Sequence, residues 1–141
     1  AQLAHPKEIC IASRKPADAI VKLDGVLPVN ISPTVVTISN AKKRLPDFDL
    51  IIQATPVGHF SRPGFAIEPP LTFKRGALVF DLIYSPRKTL FLEAAQAFDC
   101  QTENGLVMLL AQAAESFQIW TGKPFPLELA LRDLLPELQK S

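Results

Sequence analysis

The chain reads as an α/β layer protein with a mostly parallel sheet, and three observations predict it. Apolar, β-branched runs recur at residues 8–12, 34–38, 48–55 and 77–83, each about as long as a strand buried on both faces. Segments with helical spacing alternate with them, which favours parallel strands joined by crossovers. None of the 13 prolines falls between Arg87 and Lys123, so the long helices belong there and at the C-terminus.

Each element has its own reason. EICIA (8–12) is a continuous apolar run and reads as the first strand. Pro16 suits the first turn of a helix running to about Leu23. Residues 28–33 begin and end in proline and form a connector. TVVTI (34–38) is β-branched and reads as the second strand. Lys42, Lys43 and Arg44 are a basic run, most simply a solvated face. FDLIIQAT (48–55) is the third strand, and Pro56 and Gly58 force a loop at its carboxyl end. Residues 60–70 hold three prolines and should lack regular structure. ALVFDLI (77–83) is the fourth strand, stopped by Ser85-Pro86. Residues 89–98 form an amphipathic helix with Leu92 and Ala95 inward. Residues 100–102 make a short fifth strand.

The longest apolar segment with helical spacing is NGLVMLLAQAAESFQIWTG (104–122). Gly105 opens it, and Gly122 followed by Pro124 closes it. Leu106, Leu110, Ala113 and Phe117 form one apolar face. Gly105, Met108, Gln112 and Ser116 fall on a neighbouring stripe. Spacing alone leaves open whether that stripe packs or meets a ligand. Residues 127–138 form the last helix, with Pro136 ending or bending it.

Composition narrows the function classes. A chain of 141 residues is long enough for one core. A net charge of +1 gives no argument for nucleic acid or an acidic membrane surface. No apolar run reaches the ~18 residues of a membrane span, and the N-terminus lacks a signal-peptide pattern. Cys10 and Cys100 read as buried reduced thiols of a cytoplasmic protein, and no metal site is expected. Ligands of parallel sheets bind outside the carboxyl ends of the strands. Those ends are residues 13–15, 54–58 and 82–84.

Four blocks carry a family resemblance: ASR (12–14), DLIIQATPVG (49–58), LVFDLIYSPRKTLFLEAA (78–95) and ENGLVMLLAQAAESFQIWTGKPFP (103–126). In this combination and spacing the chain resembles the C-terminal, cofactor-binding half of shikimate dehydrogenase. The resemblance implies a Rossmann-like, mostly parallel sheet with flanking helices, lacking its first strand. It implies a partial NADP-binding domain over 1–123. Residues 124–141 would be a helix packing on an N-terminal domain. The reaction implied is the NADP-dependent, reversible reduction of 3-dehydroshikimate to shikimate in aromatic amino-acid biosynthesis. An NAD-using quinate/shikimate dehydrogenase and a non-catalytic nucleotide-binding relic are the alternatives. A homodimer is implied for the full-length enzyme.

The resemblance also assigns residues. Arg14, with Ser13 and Lys15, matches the family's 2′-phosphate site, and the chemistry agrees. Arginine makes a forked, charge-assisted contact with phosphate, and no carboxylate replaces Ala12 or Ser13 for ribose hydroxyls. This chain has Ser13 and Lys15 where the family usually has asparagine and threonine, and Asp18 where a basic residue is common. Ala54 and Thr55 match the loop along the nicotinamide ribose. Leu82, Gly105 and Met108 match contacts to the nicotinamide. Tyr84 and Gln112 match substrate-binding residues. His59 stands where methionine is usual and is assigned no role. The six glycines, at 25, 58, 64, 76, 105 and 122, include no glycine-rich pyrophosphate turn. The family's catalytic lysine and aspartate lie in its other half and match no residue here. The chain is therefore expected to be a fragment, inactive alone.

Overall fold

The computed structural model describes residues 6–23 and 32–138. Residues 1–4 and most of the 28–33 connector lie outside them. The order is β1 (Cys10–Ser13), α1 (Pro16–Leu23), β2 (Thr34–Thr37), α2 (Ile38–Arg44), β3 (Leu50–Gln53), β4 (Leu78–Asp81), α3 (Leu90–Gln96), β5 (Gln101–Asn104), α4 (Leu106–Thr121) and α5 (Leu127–Leu138). A 3₁₀ turn, Leu45–Asp47, precedes β3. The α/β class is as read, and every strand pairing is parallel. The first four strands are shorter than the apolar runs, because the ladders cover four residues each, whereas the fifth, read over 100–102, runs on to Asn104.

The chain divides into two compact units, Ala1–Pro46 and Asp47–Ser141. In the first, β1 pairs with β2 from Cys10↔Thr34 to Ser13↔Thr37. The second strand was expected to run through Ile38, with a solvated basic run after it; instead Ile38 opens α2. The reason is Thr37. Its hydroxyl accepts the amide of Asn40 at 3.2 Å, an N-cap that ends the strand and starts the helix. Lys42, Lys43 and Arg44 then occupy the last turn, where cations suit the helix dipole. Arg44 donates two bonds to the Glu8 carboxylate, at 2.8 and 2.9 Å. Buried apolar side chains are sparse in this unit: Ala41 and Leu45 among the described residues.

The second unit holds the larger core. Its sheet has the order β3-β4-β5. The registers run from Leu50↔Leu78 to Gln53↔Asp81 and from Leu78↔Gln101 to Asp81↔Asn104. Val79 on the central strand is fully buried, as are Ala95, Phe91 and Leu92 of α3. Phe73 packs edge-on to Phe91 and Phe98, with centroids 5.6 and 5.8 Å apart, a geometry aromatic quadrupoles favour. Leu92 and Ala95 thus face inward as the spacing predicts. Thr89 caps α3 by accepting the amide of Leu92 at 3.3 Å. The helix α4 ends at Gly122, whose φ of 67° is the left-handed cap glycine supplies. Pro136 does not end α5, which continues to Leu138.

Cys10 and Cys100 are free but partly exposed rather than fully buried. Burial is still the main influence on both, pushing the thiols up from their ordinary value. Among the described residues no group of three or more His, Cys, Asp or Glu could hold a metal. No described helix is long and apolar enough to cross a membrane.

The uneven burial along this sheet has a measurable consequence. Leu92→Ala should cost about 2–5 kcal/mol in urea unfolding of the chain, the range for truncating a buried leucine. Leu50→Ala, on the half-exposed face of edge strand β3, should cost within about 0.5 kcal/mol. Equal costs would contradict this core assignment.

Candidate functional site

The last residues of β3, β4 and β5 are Gln53, Asp81 and Asn104. They are register partners across the sheet, Gln53↔Asp81 and Asp81↔Asn104. Residues in register on parallel neighbours share a face. Three polar side chains therefore stand in one row at the sheet's carboxyl edge. Each also accepts the amide two residues further on. Gln53 Oε1 takes the Thr55 amide, Asp81 Oδ1 the Ile83 amide at 3.0 Å, and Asn104 Oδ1 the Leu106 amide at 3.1 Å. Amides leaving the ladder are thus satisfied by side chains, as buried or turning backbone requires.

The row is cross-linked. Gln53 Nε2 donates to Asp81 Oδ1 at 3.2 Å and to the Val57 carbonyl at 3.0 Å. The Thr89 hydroxyl donates to Asp81 Oδ2 at 2.6 Å. Asn104 Nδ2 donates to the Arg87 carbonyl at 3.0 Å. Asp81 is wholly buried. That burial pushes its carboxyl above the ordinary 3.8, while the bonds from Thr89, Ile83 and Gln53 pull the other way.

Several site residues expected from the sequence meet at this edge. The Leu82 amide donates to the Gln53 carbonyl at 3.0 Å, and the Gly105 amide to the Ile83 carbonyl at 3.1 Å. Gly105 touches Leu82 so closely that a Cβ there would lie 2.0 Å from the Leu82 carbonyl oxygen. Only glycine fits such an approach. Ala54 and Thr55 are exposed just beyond Gln53. The loop turns back at Gly58, with φ of 112°. Tyr84 is partly exposed, three residues after Asp81. The stripe along α4 begins at Gly105 and continues through the half-buried Met108. Gln112 and Ser116 line an open groove of about 430 Å³ with Leu109, Ala113, Phe117, Trp120 and Phe125.

Ser13, Arg14 and Lys15 lie in the other unit, at the carboxyl end of β1. The Ser13 hydroxyl accepts the Lys15 amide at 3.1 Å. Arg14 is exposed. Lys15 lies 3.9 Å from Asp18, a solvated pair of small energetic weight. A free guanidinium beside a lysine suits an anionic group such as a phosphate. His59 bonds Ser61 through Nδ1 at 2.8 Å and packs on Phe60, so it serves its own loop.

Sequence reasoning missed Gln53, Asp81, Thr89 and Asn104 as residues of this site. One signal was present for two of them: the apolar runs of β3 and β4 end in Gln53 and Asp81, whereas β5 is polar throughout.

The chain is similar to known proteins in both sequence and fold. Residues 105–134 match the Shikimate 5′-dehydrogenase C-terminal domain. A shikimate dehydrogenase (NADP(+)) from Lactococcus lactis subsp. cremoris is 39% identical over 91% of this chain and 47% of its own length. The crystal structure of shikimate 5-dehydrogenase from Listeria monocytogenes, in complex with shikimate and NAD, is 32% identical. It has a TM-score of 0.78 and is matched over 91% of this chain and 47% of that one. A shikimate dehydrogenase in complex with NADP+ is 30% identical with a TM-score of 0.73, over 93% of this chain and 47% of that one. The chain thus spans about half the length of the relatives it matches.

Asp81 makes a pH prediction. Its raised carboxyl means that the folded state holds a proton more tightly than the unfolded chain. The stability this confers is complete below about 3.8 and is lost as pH rises through the folded value. Against Asp81→Asn, which does not titrate, the wild-type chain should lose relative stability from acid to neutral pH in urea unfolding. A difference that is flat or grows with pH would contradict it. By sequence and by its Rossmann-like α/β fold, the chain is similar to the C-terminal half of the shikimate dehydrogenases.

Proposed function

We propose that the chain is the cofactor-side half of an NADP-dependent shikimate dehydrogenase, an oxidoreductase that interconverts 3-dehydroshikimate and shikimate. One observation carries the reading. Thr55, Leu82 and Gly105, which match the family's cofactor contacts, converge at one sheet edge through Gln53 and the Ile83 carbonyl. That edge is where parallel sheets bind ligands.

NADP, when bound, supplies or accepts the hydride. The chain's own residues bind and orient. Arg14 and Lys15 offer forked and point charges to a 2′-phosphate. Ala54 and Thr55 flank the ribose of the nicotinamide. The absent Cβ of Gly105 and the side chains of Leu82 and Met108 shape the space for the ring. The Tyr84 hydroxyl and the Gln112 amide hydrogen-bond the substrate. The general acid/base that moves the hydroxyl proton belongs to the substrate-binding half that the relatives also contain. The last helix, within 124–141, packs on that half. The 141 residues alone therefore catalyse nothing, and the enzyme acts on a small soluble substrate without metal, membrane or nucleic acid.

The test joins the chain to the N-terminal half of the Lactococcus lactis relative and follows NADPH formation with shikimate. The joined enzyme should be active and the chain alone inactive. Within it, Arg14→Ala should raise the Michaelis constant for NADP about tenfold or more, the weight of a charged hydrogen bond, and leave NAD nearly unaffected. Activity with neither cofactor, or an equal loss for both, would contradict the proposal.

A further inference from the structure

We propose that Gln53, Asp81 and Asn104 act together as positioning residues, one in-register row that fixes Thr55, Leu82 and Gly105 relative to one another at the reacting end of the cofactor. The inference deepens the dehydrogenase reading and rests on it for the identity of the bound group.

Three features separate the row from ordinary packing. First, it is built from the same device three times, a strand-terminal side chain that accepts the amide two residues on. Second, it links neighbours. Gln53 reaches Asp81, and Asp81 and Asn104 both hold the segment after β4, at Ile83, Thr89 and the Arg87 carbonyl. That segment carries Leu82 and Tyr84, and its Ile83 carbonyl receives the Gly105 amide. Third, a wholly buried carboxyl at Asp81 has hydrogen bonds from Thr89, Ile83 and Gln53 but no cation among the described residues. Apolar residues in place of the whole group would serve stability at least as well, whereas losing Asp81 alone leaves three buried donors without acceptors. What Asp81 supplies is direction: its two oxygens hold three donors from three places in the chain at once.

Misplacing reacting groups by about 1 Å can cost about a hundredfold in rate. The row therefore acts on turnover more than on cofactor affinity, since the phosphate contacts of Arg14 and Lys15 do not pass through it.

The experiment has two readouts. Amide hydrogen exchange on the 141-residue chain compares wild type, Asp81→Asn and Asp81→Leu. Asp81→Leu should speed exchange at Ile83 by about tenfold, the loss of its own hydrogen bond, and should also speed it at Thr55, whose acceptor Gln53 loses its tie to Asp81, while the Val79 amide in the core stays protected. Asp81→Asn keeps an acceptor for Ile83 and should restore most of the protection. In the joined enzyme, Asp81→Leu should lower kcat about tenfold to a hundredfold with the Michaelis constant for NADP changed far less. If Asp81→Leu does not fold, Asn104→Leu gives the same test through the Leu106 amide and kcat. Unchanged exchange at the loop amides would overturn the row. So would a uniform loss of protection that includes Val79, or an unchanged kcat in a folded variant. An inactive wild-type joined enzyme would sink the dehydrogenase reading, while the exchange data would still decide whether the row holds the loops.

Discussion

The structure depends on the hydrogen bonds that close the carboxyl edge of the three-stranded sheet. A parallel ladder leaves its last amides pointing at nothing once the strands diverge into loops. Here Gln53, Asp81 and Asn104 take those amides up and tie the strands' ends together. The cost is one buried carboxyl with no cation against it among the described residues. Its bonds come from a hydroxyl, a backbone amide and a side-chain amide, which satisfy both oxygens without adding charge. Everything assigned to ligand binding in the second unit follows this edge by one to eight residues.

The same edge explains why Gly105 is the most tightly enclosed of the described glycines. Gly105 sits between Asn104 and the start of α4 with its backbone against Leu82. Its amide is bonded to Ile83 and its carbonyl accepts from Leu109. A side chain at this point would push the β5–α4 turn away from the β4 loop. The stripe from Gly105 through Met108 to Gln112 thus starts at a fixed contact, and it ends in the apolar groove beside Phe117 and Trp120.

Much of the fold was legible. Apolar runs located β1 to β4 but ran past the ladders at one or both ends, because burial extends beyond the paired residues; β5, read over 100–102, instead spans Gln101–Asn104. The helices α1 and α4 followed from Pro16 and from Gly105 with Gly122, and α3 lies in the proline-free stretch where it was expected. The helix α2 was not legible, since TVVTI reads as strand to its end and only the Thr37 cap reveals the switch. For the site, spacing alone left the α4 stripe undecided, and the resemblance to a family assigned its residues. Gln53, Asp81 and Asn104 escaped because each looks like the polar end of a strand. Their relation is one of register, which belongs to the sheet and not to the sequence.

The most direct measurement is a titration of the isotope-labelled 141-residue chain with NADP, followed by amide chemical shifts. The account predicts that Thr55, Leu82 and Gly105 shift together, with Arg14 and Lys15 responding to NADP and not to NAD. Shifts confined to α5 or to the loop at His59, with the sheet edge silent at saturating cofactor, would contradict it.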